Sequence, residues 1–220
     1  MTDYTPIFIS FKCSFLSAII VVPWGLFWGW ILARKEFRGK MFLQTLLYIP
    51  LVLPPVLTGY ILLSLLSQDT FLGKMLFDVF SLRFVLDWKG AVVAAAVVSS
   101  PFMIQAFKQA VEKVDKRLEF VARTLGADMG RVLWTVTLPL SWQGIVAGFF
   151  LVFARSLGEF GATIMLAGNI PGKTQTIPLA IYSKVYLGQE AAIVPLVIAA
   201  VVIAYMGLWF SSIFIKEDVR

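Results

Sequence analysis

Two charged residues stand where charge is costly. Arg155 and Glu159, four apart in ARSLGEFGA, lie about midway along an otherwise apolar run. That spacing puts both on one helix face. An ionised side chain near the centre of a bilayer costs roughly 2.5–3.5 kcal/mol on insertion scales, and pairing offsets part of it. Two readings fit: a buried ion pair that fixes helix packing, or a gate pair lining a passage. A lone cation would attract an anion, but the neighbouring carboxylate argues against a tight anion site. Other chemistry is scarce. There is no histidine, so the common proton relay and metal ligand is missing. The one cysteine, Cys13, can form neither an intrachain disulfide nor a cysteine metal site. Neither covalent catalysis nor a cofactor is expected. Residues 168–174 read GNIPGKT, which invites comparison with a phosphate-binding loop. That loop needs four residues between its glycines; here there are three.

The elements that must position these residues are membrane spans. Of 220 residues, 59% are hydrophobic, and the mean hydropathy is +0.84. Soluble domains are nearer half apolar. The fold class expected is all-α, a polytopic membrane protein with five transmembrane helices at about residues 7–33, 43–67, 90–107, 143–167 and 191–215, in one domain over 1–220. The first run is long and no small-residue cleavage site closes it, so it reads as a retained span rather than a signal peptide. The second contains YIPLVLPPVLTGY, and Pro50, Pro54 and Pro55 forbid a straight helix. It is either a kinked packing helix or a distorted element lining a cavity. MLFDVFSLRFVL, within the loop at 68–88, has the character of a short interfacial helix. The third span is alanine-rich, which lets backbones approach closely. In the fourth, Ala154, Gly158 and Ala162 form a small-residue stripe, read as ordinary packing.

The net charge is +6. Its distribution suits a membrane protein better than a nucleic-acid binder, because cytoplasmic loops carry the excess Lys and Arg. Arg34, Lys35, Arg38 and Lys40 fall on one side of the membrane, with Lys108, Lys113, Lys116, Arg117, Arg123 and Arg131, and then Lys216 and Arg220. The opposite side holds Lys74, Arg83, Lys89, Lys173 and Lys184. The N-terminus is therefore expected outside, the C-terminus in the cytoplasm, and the long polar stretch 108–142 in the cytoplasm.

Within that stretch Val111, Val114, Leu118, Val121 and Leu125 recur at helical spacing. Glu112, Lys113, Lys116, Glu119 and Arg123 fall on the opposite face. Gly126 is a helix stop, and Asp128 suits the cap of a second short helix through Val136. Pro139 marks the approach to the fourth span. Periodicity alone also fits an amphipathic linker lying on lipid.

The residues resemble something more definite. Permeases of ABC importers carry a cytoplasmic loop of the form E-A-A, three residues, G, nine residues, I, one residue, L-P. Ala122, Gly126, Val136, Leu138 and Pro139 fall at matching spacing, while Phe120 and Val121 occupy the E-A positions and Glu119 lies one residue early. LVLPPVLTGY, ARSLGEFGATI and GNIPGKTQTIPLAIY, in that order, are similar to molybdate permease subunits of the oxyanion importer family, with MetI-like transmembrane domains of the type I class. Sulfate, thiosulfate and tungstate permeases are related. The resemblance implies that Glu119, Ala122, Arg123, Leu125, Gly126 and Ala127, closed by Val136, Leu138 and Pro139, form an ATPase-coupling loop. It implies pathway or gate roles for Pro54, Pro55, Arg155, Glu159, Phe160 and Gly161.

The resemblance further implies a transport subunit in the cell inner membrane, not an enzyme. Its implied partners are two copies of an ABC ATPase, a second copy of itself, an extracytoplasmic oxyanion-binding protein and the lipid bilayer, with no nucleic acid. No covalent step is needed: ATP-driven alternating access would carry the anion through a weakly binding cavity. An ion-coupled secondary transporter fits less well, since the span count is odd and Glu159 is the only mid-span acid. A non-transporting scaffold would not need the proline-broken second span.

Overall fold

The computed structural model describes residues 4–215, with side chains described to residue 213. The tail KEDVR, with Lys216 and Arg220, lies outside the described residues. Regular structure among the described residues is helical throughout. In chain order the α-helices are α1 (Thr5–Arg34), α2 (Lys40–Val52), α3 (Pro55–Leu66), α4 (Phe71–Phe80), α5 (Trp88–Lys113), α6 (Lys116–Thr124), α7 (Met129–Val132), α8 (Leu138–Leu140), α9 (Trp142–Leu157), α10 (Gly161–Ala167), α11 (Ile177–Tyr186) and α12 (Val194–Ile215). A π-helical turn (Leu133–Thr137) joins α7 to α8, and a 3₁₀ turn (Glu190–Ala192) precedes α12.

Three helices are long and apolar enough to cross a membrane, and five spans result if each of two bent pairs counts as one. The expected second span breaks at Leu53–Pro54, where α2 and α3 meet at 108°. Proline supplies no N–H and cannot continue the helix before it. It suits the start of the next one, and Pro55 opens α3. The second bent pair is Met129–Leu140 with α9, at 70°. Separately, the expected fourth span, 143–167, is two helices: α9 ends at Leu157, and α10 starts at Gly161. The expectation of one continuous helix there is corrected. Gly158–Glu159–Phe160 lies outside both helices, so Glu159 occupies the break rather than the middle of a helical face. Two further differences are smaller. The expected interfacial helix is α4, beginning at Phe71, and IPLAIYSKVY, between the expected fourth and fifth spans, is helix α11.

α5 is the axis of the bundle. α1, α2, α3, α9 and α10 all pack on it, and Ala91, Ala94, Ala95, Val98, Met103, Ile104 and Phe107 are buried. Small residues set the spacing. On α1, Gly25 meets Met103, and a Cβ on Gly29 would lie 3.0 Å from the Ile104 carbonyl oxygen. On α9, Gly144 and Gly148 meet Ala110 and Met103. Close approach through small residues is how helices associate where no hydrophobic drive separates them from lipid. α12, by contrast, packs mainly on α9 and exposes most of its aliphatic and aromatic surface.

One polar feature of this core has no signal in the sequence. The Oγ atoms of Ser17, Ser156 and Ser99 form a donor chain linking α1, α9 and α5. Ser17 donates to Ser156 at 2.9 Å and Ser156 to Ser99 at 3.2 Å. Ser99 donates to the Ala95 carbonyl at 2.6 Å. Every hydroxyl is used, as burial requires.

Where α3 meets α10, the obstacle to any side chain is backbone itself. A Cβ on Gly59 of α3 would lie 2.7 Å from Ala162 Cα on α10. Replacing Gly59 with Leu forces the helices apart and is expected to cost about 1–3 kcal/mol, the usual penalty of overpacking. Gly130→Ala, whose added Cβ would have only an Asp128 oxygen 3.9 Å away, should be tolerated. Thermal unfolding of both variants in detergent checks this.

Candidate functional site

Residues 115–140 form a knob at the end of the bundle where α1 and α5 terminate. The helical stripe expected to run unbroken from Val111 to Leu125 divides at Val114–Asp115, where the backbone is extended. Val111 and Val114 are buried at the end of α5, whereas Leu118 and Val121 on α6 and Leu125 just after it are exposed, Leu125 at 84%. α6 therefore leaves its apolar residues largely exposed, with Leu118 bordering the cleft between α5 and α9.

Three local devices shape the knob. Asp115 caps α6 by accepting from the Arg117 N–H at 2.9 Å, and Asp128 caps α7 by accepting from the Arg131 N–H at 2.7 Å. Between them the chain reverses in a Schellman turn: the Ala127 N–H donates to the Ala122 carbonyl at 3.1 Å and the Gly126 N–H to the Arg123 carbonyl at 3.0 Å. Gly126 has φ +90°, a left-handed conformation that glycine adopts without penalty. So the spacing of Ala122, Gly126 and Ala127 has a backbone cause. The cap on α7 stands at the expected Asp128. The helix beyond is not uniform, since it passes through the π turn, with the Leu138 N–H bonded to the Leu133 carbonyl, before Pro139.

Glu119 faces the bundle instead of the surface. Its Oε1 accepts from Arg34 Nε at 3.0 Å and from Thr137 Oγ1 at 2.8 Å. Arg34 Nη2 also donates to the Val114 carbonyl at 2.8 Å. The Arg34 and Glu119 side chains are only 7% and 16% exposed. One carboxylate thus ties α6 to the last residue of α1 and to the π turn. Nothing in the sequence singles out Arg34 or Thr137 for this role. Arg34 reads there only as a loop charge, and no local pattern links residues so far apart. The remaining knob candidates are more open: Arg123, Leu125, Gly126 and Pro139 are exposed, and Ala122, Ala127, Val136 and Leu138 are half-buried.

The second group of candidates lies at the helix breaks. Arg155 Nη1 and Glu159 Oε2 are 3.0 Å apart, with Glu159 2% and Arg155 31% exposed. Glu159 Oε1 accepts from the Ala162 N–H at 2.9 Å. The carboxylate therefore satisfies a backbone donor in the first turn of α10, where negative charge is also favoured, and holds an arginine in the last turn of α9. Gly161 abuts Pro55 and Val56, its Cβ position lying 3.0 Å from the Val56 nitrogen. The structure so brings Pro55, Glu159 and Gly161 to one seam. Phe160 turns elsewhere, its ring 5.2 Å from that of Tyr182 on α11. Pro54 sits at the bend and is exposed.

GNIPGKT builds a self-bonded loop. Thr174 Oγ1 accepts from the Ile170 N–H at 3.0 Å, and Gln175 Nε2 donates to Asn169 Oδ1 at 2.9 Å. Asn169 Nδ2 donates to Ser183 on α11 at 2.7 Å. Thr174 is fully buried, and Lys173 pairs with Asp87 at 3.6 Å, so the loop spends its polar groups on itself and on neighbouring elements. No group of three or more His, Cys, Asp or Glu capable of holding a metal occurs among the described residues.

Comparison with known proteins bears on this arrangement. Residues 13–216 match the family described as binding-protein-dependent transport system inner membrane component. The chain belongs to that family. It is 46% identical over 211 residues to the molybdenum transport system permease protein ModB of Escherichia coli (strain K12), covering 96% of this chain and 92% of that one. To ModB of Haemophilus influenzae it is 44% identical, again over 211 residues, with 96% and 92% covered. The sulfate transport system permease protein CysT of E. coli is 36% identical over 176 residues, or 80% of this chain and 63% of that one. Among solved structures, inward-facing MetNI methionine ABC transporter superposes with a TM-score of 0.73 at 15% identity, covering 98% and 95% of the two chains. A bacterial alginate ABC transporter, in complex with its alginate pentasaccharide-bound periplasmic protein, gives 0.71 at 18%, covering 97% and 77%. At those identities the structures establish the fold: this is an importer-type permease bundle in an inner membrane component.

Removing the Glu119 carboxylate with Ala leaves Arg34 with only the Val114 carbonyl and frees Thr137. A lost partner of a partly buried charged group costs about 1–3 kcal/mol, so amide exchange across residues 116–124 should quicken roughly fivefold to a hundredfold. Exchange in α5 should not change. Glu159→Ala should strip both Arg155 and the Ala162 N–H of their partner and impair assembly or transport. Glu159→Gln, which keeps an acceptor for Ala162, should recover part of the loss, measured as yield of folded complex and as uptake.

Proposed function

We propose that this chain is the permease subunit of an ABC importer for molybdate, working as a homodimer with two copies of a separate ATPase and an extracytoplasmic oxyanion-binding protein. The knob is its coupling element. One observation carries this reading: the knob is anchored inward by Glu119 while Phe120, Val121, Leu125 and Gly126 stand exposed. A Cβ on Gly126 would meet nothing within 4 Å, so that surface is free to seat against another protein. Phe120, at 67% exposure, gives its leading edge an apolar character.

In this reading the N-terminus faces outward and the knob lies in the cytoplasm, where the Lys and Arg excess falls. Closure of the ATPase pair pushes on α6. The Arg34–Glu119–Thr137 contacts pass the displacement to α1 and, through the π turn, to α9. The seam at Pro55, Glu159 and Gly161 is where the spans change angle. Hydrolysis belongs to the ATPase. Molybdate is favoured because relatives 44–46% identical over nearly the full chain bear molybdenum transport names. Sulfate is the second reading, on the strength of the 36% identical relative named for sulfate transport.

The reconstituted complex should show ATP hydrolysis stimulated by molybdate-loaded binding protein. Molybdate and tungstate should compete with labelled molybdate for uptake more strongly than sulfate. A chain that binds no ATPase would sink this reading. Gly126→Val forces a β-branched residue into a left-handed conformation, a strain of roughly 1–3 kcal/mol. It should insert normally yet uncouple ATP hydrolysis from uptake, and wild-type uptake would count against a coupling role.

A further inference from the structure

A polar stripe runs along the side of α5 that α1 leaves uncovered. Gln105, Gln109 and Lys113 recur every four residues and so share a helix face, and all three are exposed. α1 packs on a different face of the helix, at Met103 and Phe107. Gln143 of α9 lines the same cleft, a space of about 780 Å³ bordered also by Ser141 and Asp115. Two of these groups are already engaged. The Ser141 hydroxyl donates to the Thr137 carbonyl at 2.6 Å, and the Asp115 carboxylate holds the Arg117 N–H. The three glutamine amides and the Lys113 ammonium make no hydrogen bond or ion pair with any described residue.

Gln105 lies within the expected third span, where a polar side chain faces the bundle interior or a water-filled cavity rather than lipid, and Gln109 and Lys113 continue its face toward the knob end of α5. The groups available here are amide N–H donors, which solvate an oxyanion without neutralising it. A conducting path needs that quality: attraction sufficient for entry and weak enough for exit. A fixed cation at every step would trap a dianion. Only Lys113, beside the knob, carries positive charge in the cleft, and Asp115 next to it tempers the pull.

We propose that this cleft is the knob-side half of the anion passage. Gln105, Gln109 and Gln143 solvate a tetrahedral oxyanion in transit, and Lys113 draws it toward the mouth. The assignment rests on the importer reading and names the residues that line its exit.

The test uses the full transporter, with ATPase and binding protein, in proteoliposomes supplied with radiolabelled molybdate. In Gln105→Leu/Gln109→Leu, and separately in Gln109→Glu, molybdate imported per ATP hydrolysed should fall roughly tenfold or more, the effect of losing one hydrogen bond to a charged group. A wild-type ratio in both variants overturns the proposal. Absence of stimulated hydrolysis in the wild-type complex would instead defeat the importer reading. A second measurement decides the matter if the variants assemble poorly. Gln109→Cys is exposed to an impermeant anionic methanethiosulfonate, while native Cys13 is buried. Labelling in the nucleotide-free complex that slows roughly tenfold or more in the vanadate-trapped complex supports a passage that opens and closes. Equal labelling in the two states, or none in either because a second copy covers the face, overturns it.

Discussion

The Glu119 carboxylate is the contact on which the arrangement of the knob depends. An amphipathic helix such as α6 would by default turn its apolar side inward. Here the inward position is taken by a charged group, paired with Arg34 and Thr137 at 3.0 and 2.8 Å. Leu118, Val121 and Leu125 are consequently left at the surface. The inversion costs apolar burial within this chain and leaves a surface suited to another. The same carboxylate joins the end of α1 to the π turn that leads into α9, so the knob cannot tilt without loading both helices.

The two broken helices answer a related constraint. A backbone group in an apolar bundle has no water to bond with, so a break survives only where protein groups satisfy it. Pro54 and Pro55 remove donors at one break, and Glu159 supplies an acceptor at the other. The breaks lie against each other because Gly59 and Gly161 carry no side chains to hold α3 and α10 apart. The Arg155–Glu159 pair is thus part of how the chain bends. Packing and gating, alternatives on the sequence alone, describe the same feature, since a residue that shapes the bend also shapes what passes beside it.

Several of these features were legible in the sequence. The apolar runs gave the helical class, glycine after Leu125 gave the turn, Asp128 gave the cap, and the prolines gave the bend between α2 and α3. Other features were not. Arg155 and Glu159, four apart, fit one helix face, and nothing local disclosed that the helix stops between them at Leu157. IPLAIYSKVY lacks the length of a span and passes for a loop. The serine chain joins residues as far apart as 17 and 156, and isolated serines in apolar runs look alike whether or not they meet.

The sequence by itself determined where the chain is apolar, where it must turn, and which loops carry positive charge, because these follow from composition and from backbone chemistry within a few residues. Only the tertiary structure decided direction: Glu119 inward and Leu125 outward, Glu159 in a break rather than on a helix face, Gln105 and Gln109 on the side of α5 that α1 leaves free. Helical periodicity says which residues share a face. Which way that face points is set by the neighbours that close over it, and those neighbours are scores of residues away.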